Sequence, residues 1–282
     1  MAIEDGYLSS PASTPDTSFD EEKFLVKRFH AAVTDSRRRI TANKGKWYYE
    51  LARNVPVAIL CVSLLQILFH IYATSSLKKY LRFEPSKRLE LWRYVTYMLV
   101  HEDWSHLVLN VVIQCIFAAL LEINQGRLRV LAIYTIGGVT GVLGAACLHS
   151  ELIVGASAGG YALLLANVAD LVLNFETIKY KIYRSISITT LILFDIIYDI
   201  VHVTAKKEPQ VSWQAHFFGG LTGIFLGLVL FKCQKPTKYR KPLFYIGLGF
   251  YTLFVFGFIV FTIQIVKCTP SDLIHYKYVY FC

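Results

Sequence analysis

The sequence is short of charge. Only 17% of its 282 residues are Asp, Glu, Lys or Arg, against about 25% in ordinary soluble domains, too few to cover a globule in water. It lacks the cysteine spacing of a structural zinc site: the six cysteines form no C-x-x-C pair, and Cys61, Cys115 and Cys147 fall in apolar runs as packed thiols. No Asn-x-Ser/Thr acceptor occurs, so glycosylation gives no marker of sidedness. No EF-hand spacing is found in residues 23–53. A cleavable signal peptide is also missing. The first twenty residues are polar, acidic and rich in Ser, Thr and Pro, so the first apolar run is expected to act as an uncleaved signal anchor. The net charge of +9 does not point to nucleic acid, because the basic residues lie in short clusters between apolar runs.

What the chain has is apolar length. It is 55% hydrophobic and 15% aromatic, and a helix needs about 20 apolar residues to cross a hydrocarbon core of roughly 30 Å. Seven spans are predicted, at 55–73, 104–121, 130–148, 153–173, 186–203, 213–231 and 243–266. The fifth carries Asp195 and Asp199. With the N-terminus in the cytoplasm, 19 Lys and Arg fall on the cytoplasmic side and 10 on the other. That bias follows the positive-inside rule, and an outside N-terminus reverses it. The fold class is an all-α polytopic membrane protein.

Residues 1–22 read as a disordered tail. Residues 23–53 interleave Phe24, Leu25, Phe29 and Val33 with basic residues and end near Arg37-Arg38-Arg39. This suits a basic amphipathic segment on an anionic leaflet, or equally a solvated linker. The connection 74–103 is long, aromatic and broken by charges, as expected of a folded loop half-submerged at the interface.

Ionisable residues inside spans are costly and mark functional candidates. Ser157 sits in Gly155-Ala156-Ser157-Ala158-Gly159 at the start of span four, where the N–H groups of a helix entrance point outward. By itself this pattern more often means close helix packing. His216 opens span six, with Gly219, Gly220 and Gly223 on its face, opposite a small face at Ala158, Ala162 and Ala166. A packing motif with a bystander histidine is the competing reading. His106 and Asn110 share a face of span two after His101-Glu102-Asp103 and offer two donors to one point, as an oxyanion needs. A zinc site lacks a third ligand at helical spacing, so no metal is assigned. Trp92-Arg93 in the loop is an interfacial anchor or a structural clamp.

Together these motifs resemble the rhomboid family of intramembrane serine proteases. The family pattern of Trp-Arg, H-x4-H-x3-N, G-x-S-G and A-H-x-x-G-x-x-x-G is met by Trp92-Arg93, by His101, His106 and Asn110, by Gly155 to Ser157, and by Ala215 to Gly223. The resemblance covers roughly residues 55–231. It implies a six-helix core with Ser157 as nucleophile, His216 as general base, and His106, Asn110 and the Ser157 N–H at the oxyanion. It also implies Tyr161 stacked on His216, and Glu122 holding a structural hydrogen bond. One departure is Ala158, where the family has Gly; its methyl is expected to crowd span six.

The span at 243–266 follows the core, as in secretase-type rhomboids of the secretory pathway. The organisation implied is a cytoplasmic segment 1–54, the core 55–231, and a basic loop, seventh helix and outer tail over 232–282. Partners are then the bilayer and single-pass transmembrane precursors such as epidermal-growth-factor-like ligands, whose cleavage releases the growth factor, with no cofactor. A rhomboid-like protein that binds client helices without cutting them is the alternative. Cys268 and Cys282 would share the outer side, where a disulfide is permitted. Asp170 lies thirteen residues past Ser157, about 20 Å along a helix, so a dyad is expected rather than a triad. Asp195 and Asp199 share a face near His202 and are read as structural, with a water path or substrate gate as the alternative.

Overall fold

The computed structural model describes residues 27–30, 33–36, 55–148, 152–204, 212–235 and 238–268. The tail 1–22, most of the basic segment 23–53 and Cys282 lie outside the described residues, as do the side chains of Asp199, His202 and Cys268. Residues 27–30 and 33–36 are helical and belong to a unit separate from 55–282.

The second unit is a helical bundle. Seven long helices correspond to the seven apolar runs: α1 (Val57–Tyr72), α4 (Trp104–Gln125), α5 (Arg127–Leu148), α6 (Ser157–Asn174), α7 (Lys181–Thr204), α8 (Trp213–Leu230) and α9 (Arg240–Cys268). Short helices α2 (Ser75–Leu81) and α3 (Arg93–Thr96) lie in the connection between α1 and α4. By length and apolarity alone, α4, α5, α8 and α9 can each cross a membrane, and α1 is apolar but shorter. Three buried polar residues of α6 and α7, Asn167, Asp170 and Arg184, are spent on one another inside the bundle. Asp170 pairs with Arg184 at 2.8 Å, Arg184 also donates to Asn167, and Gln125 donates to Asp170 at 2.6 Å. Buried charges persist only when paired and hydrogen-bonded in this way.

Helix α6 is central, and most of its residues are buried, Ala158, Ala162, Leu163 and Ala166 among them. Helix α8 lies so close to it that only glycine fits at the crossing. A Cβ on Gly219 would stand 3.0 Å from the Ala158 carbonyl carbon, and one on Gly223 2.8 Å from Ala162 Cα. Such small-residue contacts replace the hydrophobic drive that lipid removes. Further along, Gly227 meets Ala169. The Ala158 methyl has a second neighbour besides α8. It faces Gly141 of α5, where a second Cβ would come within 2.8 Å of it, and the missing side chain there makes its room.

Helix ends explain several polar residues. Glu122, 5% exposed, accepts from the N–H groups of Ala58 and Ile59 at 3.2 and 2.8 Å and so caps α1, whose own N-cap Pro56 offers no side chain. Asp103 caps α4 through the His106 N–H at 2.7 Å. Residues 153–156, expected to be helical, instead make a short bridge and then a turn into α6: Phe83 and Ile153 exchange both backbone hydrogen bonds, at 3.1 and 3.2 Å, and tie the long loop to the approach to α6. Arg93, 1% exposed, clamps that loop by donating to Glu90 and to the Lys79 and Arg82 carbonyls. Trp92 stays half-exposed and stacks on Tyr80. Helix α9 buries little of itself and packs on α8 through Phe225 and Phe250, 5.4 Å apart.

Candidate active site

Ser157 is the first residue of α6. The turn that delivers it needs Gly155, whose φ is +96°, a conformation that costs a Cβ-bearing residue steric strain. A side chain there would also lie 2.7 Å from the His106 ring. The Gly155 N–H donates to the Val100 carbonyl at 2.7 Å and anchors the turn to the loop. As at any helix start, the first N–H groups of α6 have no acceptor within the helix, and they carry its positive dipole end.

His216 enters from the first turn of α8, 6% exposed. The Tyr161 ring lies parallel to it, centroids 4.1 Å apart and planes within 9°. Its Nδ1 is 3.2 Å from Asp195 Oδ2 on α7. Its Nε2 is buried with no hydrogen-bond partner among the described residues. No hydrogen bond joins that nitrogen to Ser157, a gap that substrate-free sites often show before the reacting groups tighten. Sequence reasoning expected no carboxylate on the histidine. Asp195 reaches the histidine from α7, on the cavity wall that it shares with Leu191 and Phe194. The signal in the sequence was an acidic residue inside an apolar run.

Both residues open onto one cavity of about 280 Å³, lined also by His106 and Asn110 of α4 and by Leu191, Phe194 and Asp195 of α7. The His101 and His106 rings meet edge to face, 5.3 Å apart. Burial first, then the neighbouring His106, pushes His101 down to about 3, so it stays neutral in ordinary buffers. Asp103, at the rim, is held below the usual carboxylate range by the His106 N–H and the Ser105 hydroxyl. One Asn110 amide hydrogen is engaged by the His106 carbonyl at 2.9 Å, which fixes the side chain beside the cavity and leaves the other to a ligand. Trp92, Arg93 and Glu122 do not line it; they hold the loop and α1 in place. Asp170, in its pair with Arg184, is also elsewhere.

Fold and cavity together define a polytopic helical membrane protein with serine, histidine and amide groups gathered inside its bundle. The Rhomboid domain model matches residues 88–233. The chain is 30% identical over 270 residues to Rhomboid-related protein 3 of Homo sapiens, covering 88% of this chain and 66% of that protein. It is 31% identical over 215 residues to Rhomboid-related protein 2 of Mus musculus, covering 70% of this chain and 71% of that one. Inactive rhomboid-related protein 2 of Caenorhabditis elegans is 27% identical over 164 residues, 56% of this chain and 46% of its own length. The chain belongs to the rhomboid family and is a multi-pass integral membrane protein. It spans about two thirds of the human relative's length.

Proposed function

We propose that this protein is an intramembrane serine endopeptidase of the secretory pathway, N-terminus in the cytoplasm, that cuts single-pass transmembrane precursors near the outer end of their membrane helix. The reading rests on one observation. Ser157 and His216, from two different helices, face the same cavity as His106, Asn110 and the free N–H end of α6. A serine hydroxyl is a weak nucleophile without a base, and the charge of a tetrahedral intermediate needs donors. This cavity holds all three parts.

In the reaction, Ser157 Oγ attacks the carbonyl carbon of a locally unwound substrate while His216 Nε2 takes the hydroxyl proton. The negative oxygen that forms is met by the Ser157 N–H, His106 and Asn110. The same proton passes from His216 to the leaving nitrogen as the C–N bond breaks, leaving an acyl-enzyme. Water then attacks the acyl carbon, gives its proton to His216, and Ser157 recovers it as the new carboxyl product departs. Single-pass precursors of the growth-factor type are the substrates this reading implies.

A client-binding relative without catalysis is the other reading, favoured by the inactive namesake among the similar chains. Purified protein in liposomes, incubated with a tagged transmembrane reporter, separates the two. Wild type should release the reporter's outer fragment and Ser157→Ala should not. Reporter that is bound but left intact by wild type would reverse the assignment.

A further inference from the structure

We infer that Asp195 is a positioning residue for the reaction, orienting His216 as the base toward Ser157. This rests on the peptidase reading and deepens it. The Tyr161 stack fixes the plane of the imidazole, but a half-turn about the ring's own bond keeps that plane and exchanges Nδ1 for a carbon. The stack therefore does not decide which nitrogen faces the serine. The contact at Nδ1 does. An ionised carboxylate only accepts hydrogen bonds, so Asp195 Oδ2 at 3.2 Å requires a proton on Nδ1. Neutral His216 then carries its lone pair on Nε2, the nitrogen that is buried and without a partner among the described residues. That is the tautomer a general base needs. The carboxylate also stabilises the imidazolium that forms once the serine proton has moved, as an aspartate does in soluble serine proteases on unrelated folds.

The Asp195 carboxylate is spared for this role. Of the two cations on its own helix, Arg184 is eleven residues away and committed to Asp170 and Asn167, and Lys181 lies three residues further off. Tyr161, from α6, lines the same cavity beside Asp195. Leu191 and Phe194 flank Asp195 on the cavity wall. The groups that bear on its charge are His216 from α8, Tyr161 from α6, and Glu102, Asp103 and His106 across the cavity on and just before α4. Asp199 follows one turn along α7.

The test compares wild type, Asp195→Asn, Asp195→Glu and Ser157→Ala in liposomes, measuring kcat and KM for the reporter from pH 5 to 9 with thermal melting alongside. Asp195→Asn should lose at least about tenfold in kcat with KM little changed. Asp195→Glu should regain part of the rate. If Asp195→Asn also melts early, the Glu variant decides: recovered turnover supports the inference, and stability recovered without turnover overturns it. Asp195→Asn cutting at the wild-type rate, or faster, overturns it while leaving the peptidase reading intact. Failure of wild type itself to cut overturns both.

Discussion

Substituting Gly219 by Ala probes the contact that sets the two helices of the site against each other. The added Cβ would lie 3.0 Å from the Ala158 carbonyl carbon and 3.2 Å from its Cα. Carbon atoms pack at roughly 3.5–4.0 Å, and the obstacle is backbone, which no rotamer change can clear. Helix α8 must therefore retreat from α6 by about 0.5–1 Å, loosening the seats of Gly223 on Ala162 and Gly227 on Ala169. Overpacking of this kind costs about 1–3 kcal/mol, and the better helix propensity of Ala returns at most about 1 kcal/mol. A net loss of roughly 1–2 kcal/mol should lower the melting temperature by several degrees. The effect on turnover should be larger. His216 is one turn before Gly219, and a displacement near 1 Å between reacting groups can cost on the order of a hundredfold in rate. The assay is reporter cleavage in liposomes at matched protein, beside thermal melting. Gly257→Ala is the control, since nothing lies within 4 Å of its Cβ position. A Gly219→Ala protein with wild-type melting and wild-type rate would refute the close approach on which the site depends.

Two other perturbations test the supports of the site. Glu122→Ala removes both acceptors from the start of α1 and should cost about 1–2 kcal/mol; Glu122→Gln, which keeps one acceptor oxygen, should melt between Ala and wild type. His101 provides a pH test. Its folded pKa, about 3, lies below the unfolded value near 6.5, so between those limits the unfolded chain binds a proton that the folded one refuses. Stability should fall with acid below pH 6.5 by up to roughly 1.4 kcal/mol per pH unit from this group, and His101→Phe should flatten that part of a melting-versus-pH curve.

The membrane spans were legible because bilayer thickness sets a run length that few other structures require, and α9, little of it buried in the bundle, shows it most simply. The serine and histidine were legible through motifs whose spacing places them at helix starts. What could not be read was which helix each small or polar residue meets. Ala158 offered no sign that its methyl would face Gly141 of α5. Asp195 announced only that something polar must meet it; its partner, 21 residues on, depends on how α7 and α8 cross. Glu122 likewise carried no hint of Ala58 and Ile59, 64 and 63 residues away. The bridge and turn at 153–156 looked helical because the apolar residues there continue those of α6, and the strand-like pairing of Ile153 with Phe83 is a long-range contact. Pattern reports local structure, whereas contacts between helices depend on crossing angles and register that no single segment carries.

The most direct test of the account is covalent labelling of the protein in lipid by a fluorophosphonate or isocoumarin probe, with the modified residue mapped by mass spectrometry. Such probes react with a serine only where a base removes its proton. The account predicts a single adduct on Ser157, lost in Ser157→Ala and in His216→Ala. No adduct on folded wild-type protein, or one on Ser157 that survives removal of His216, would contradict it.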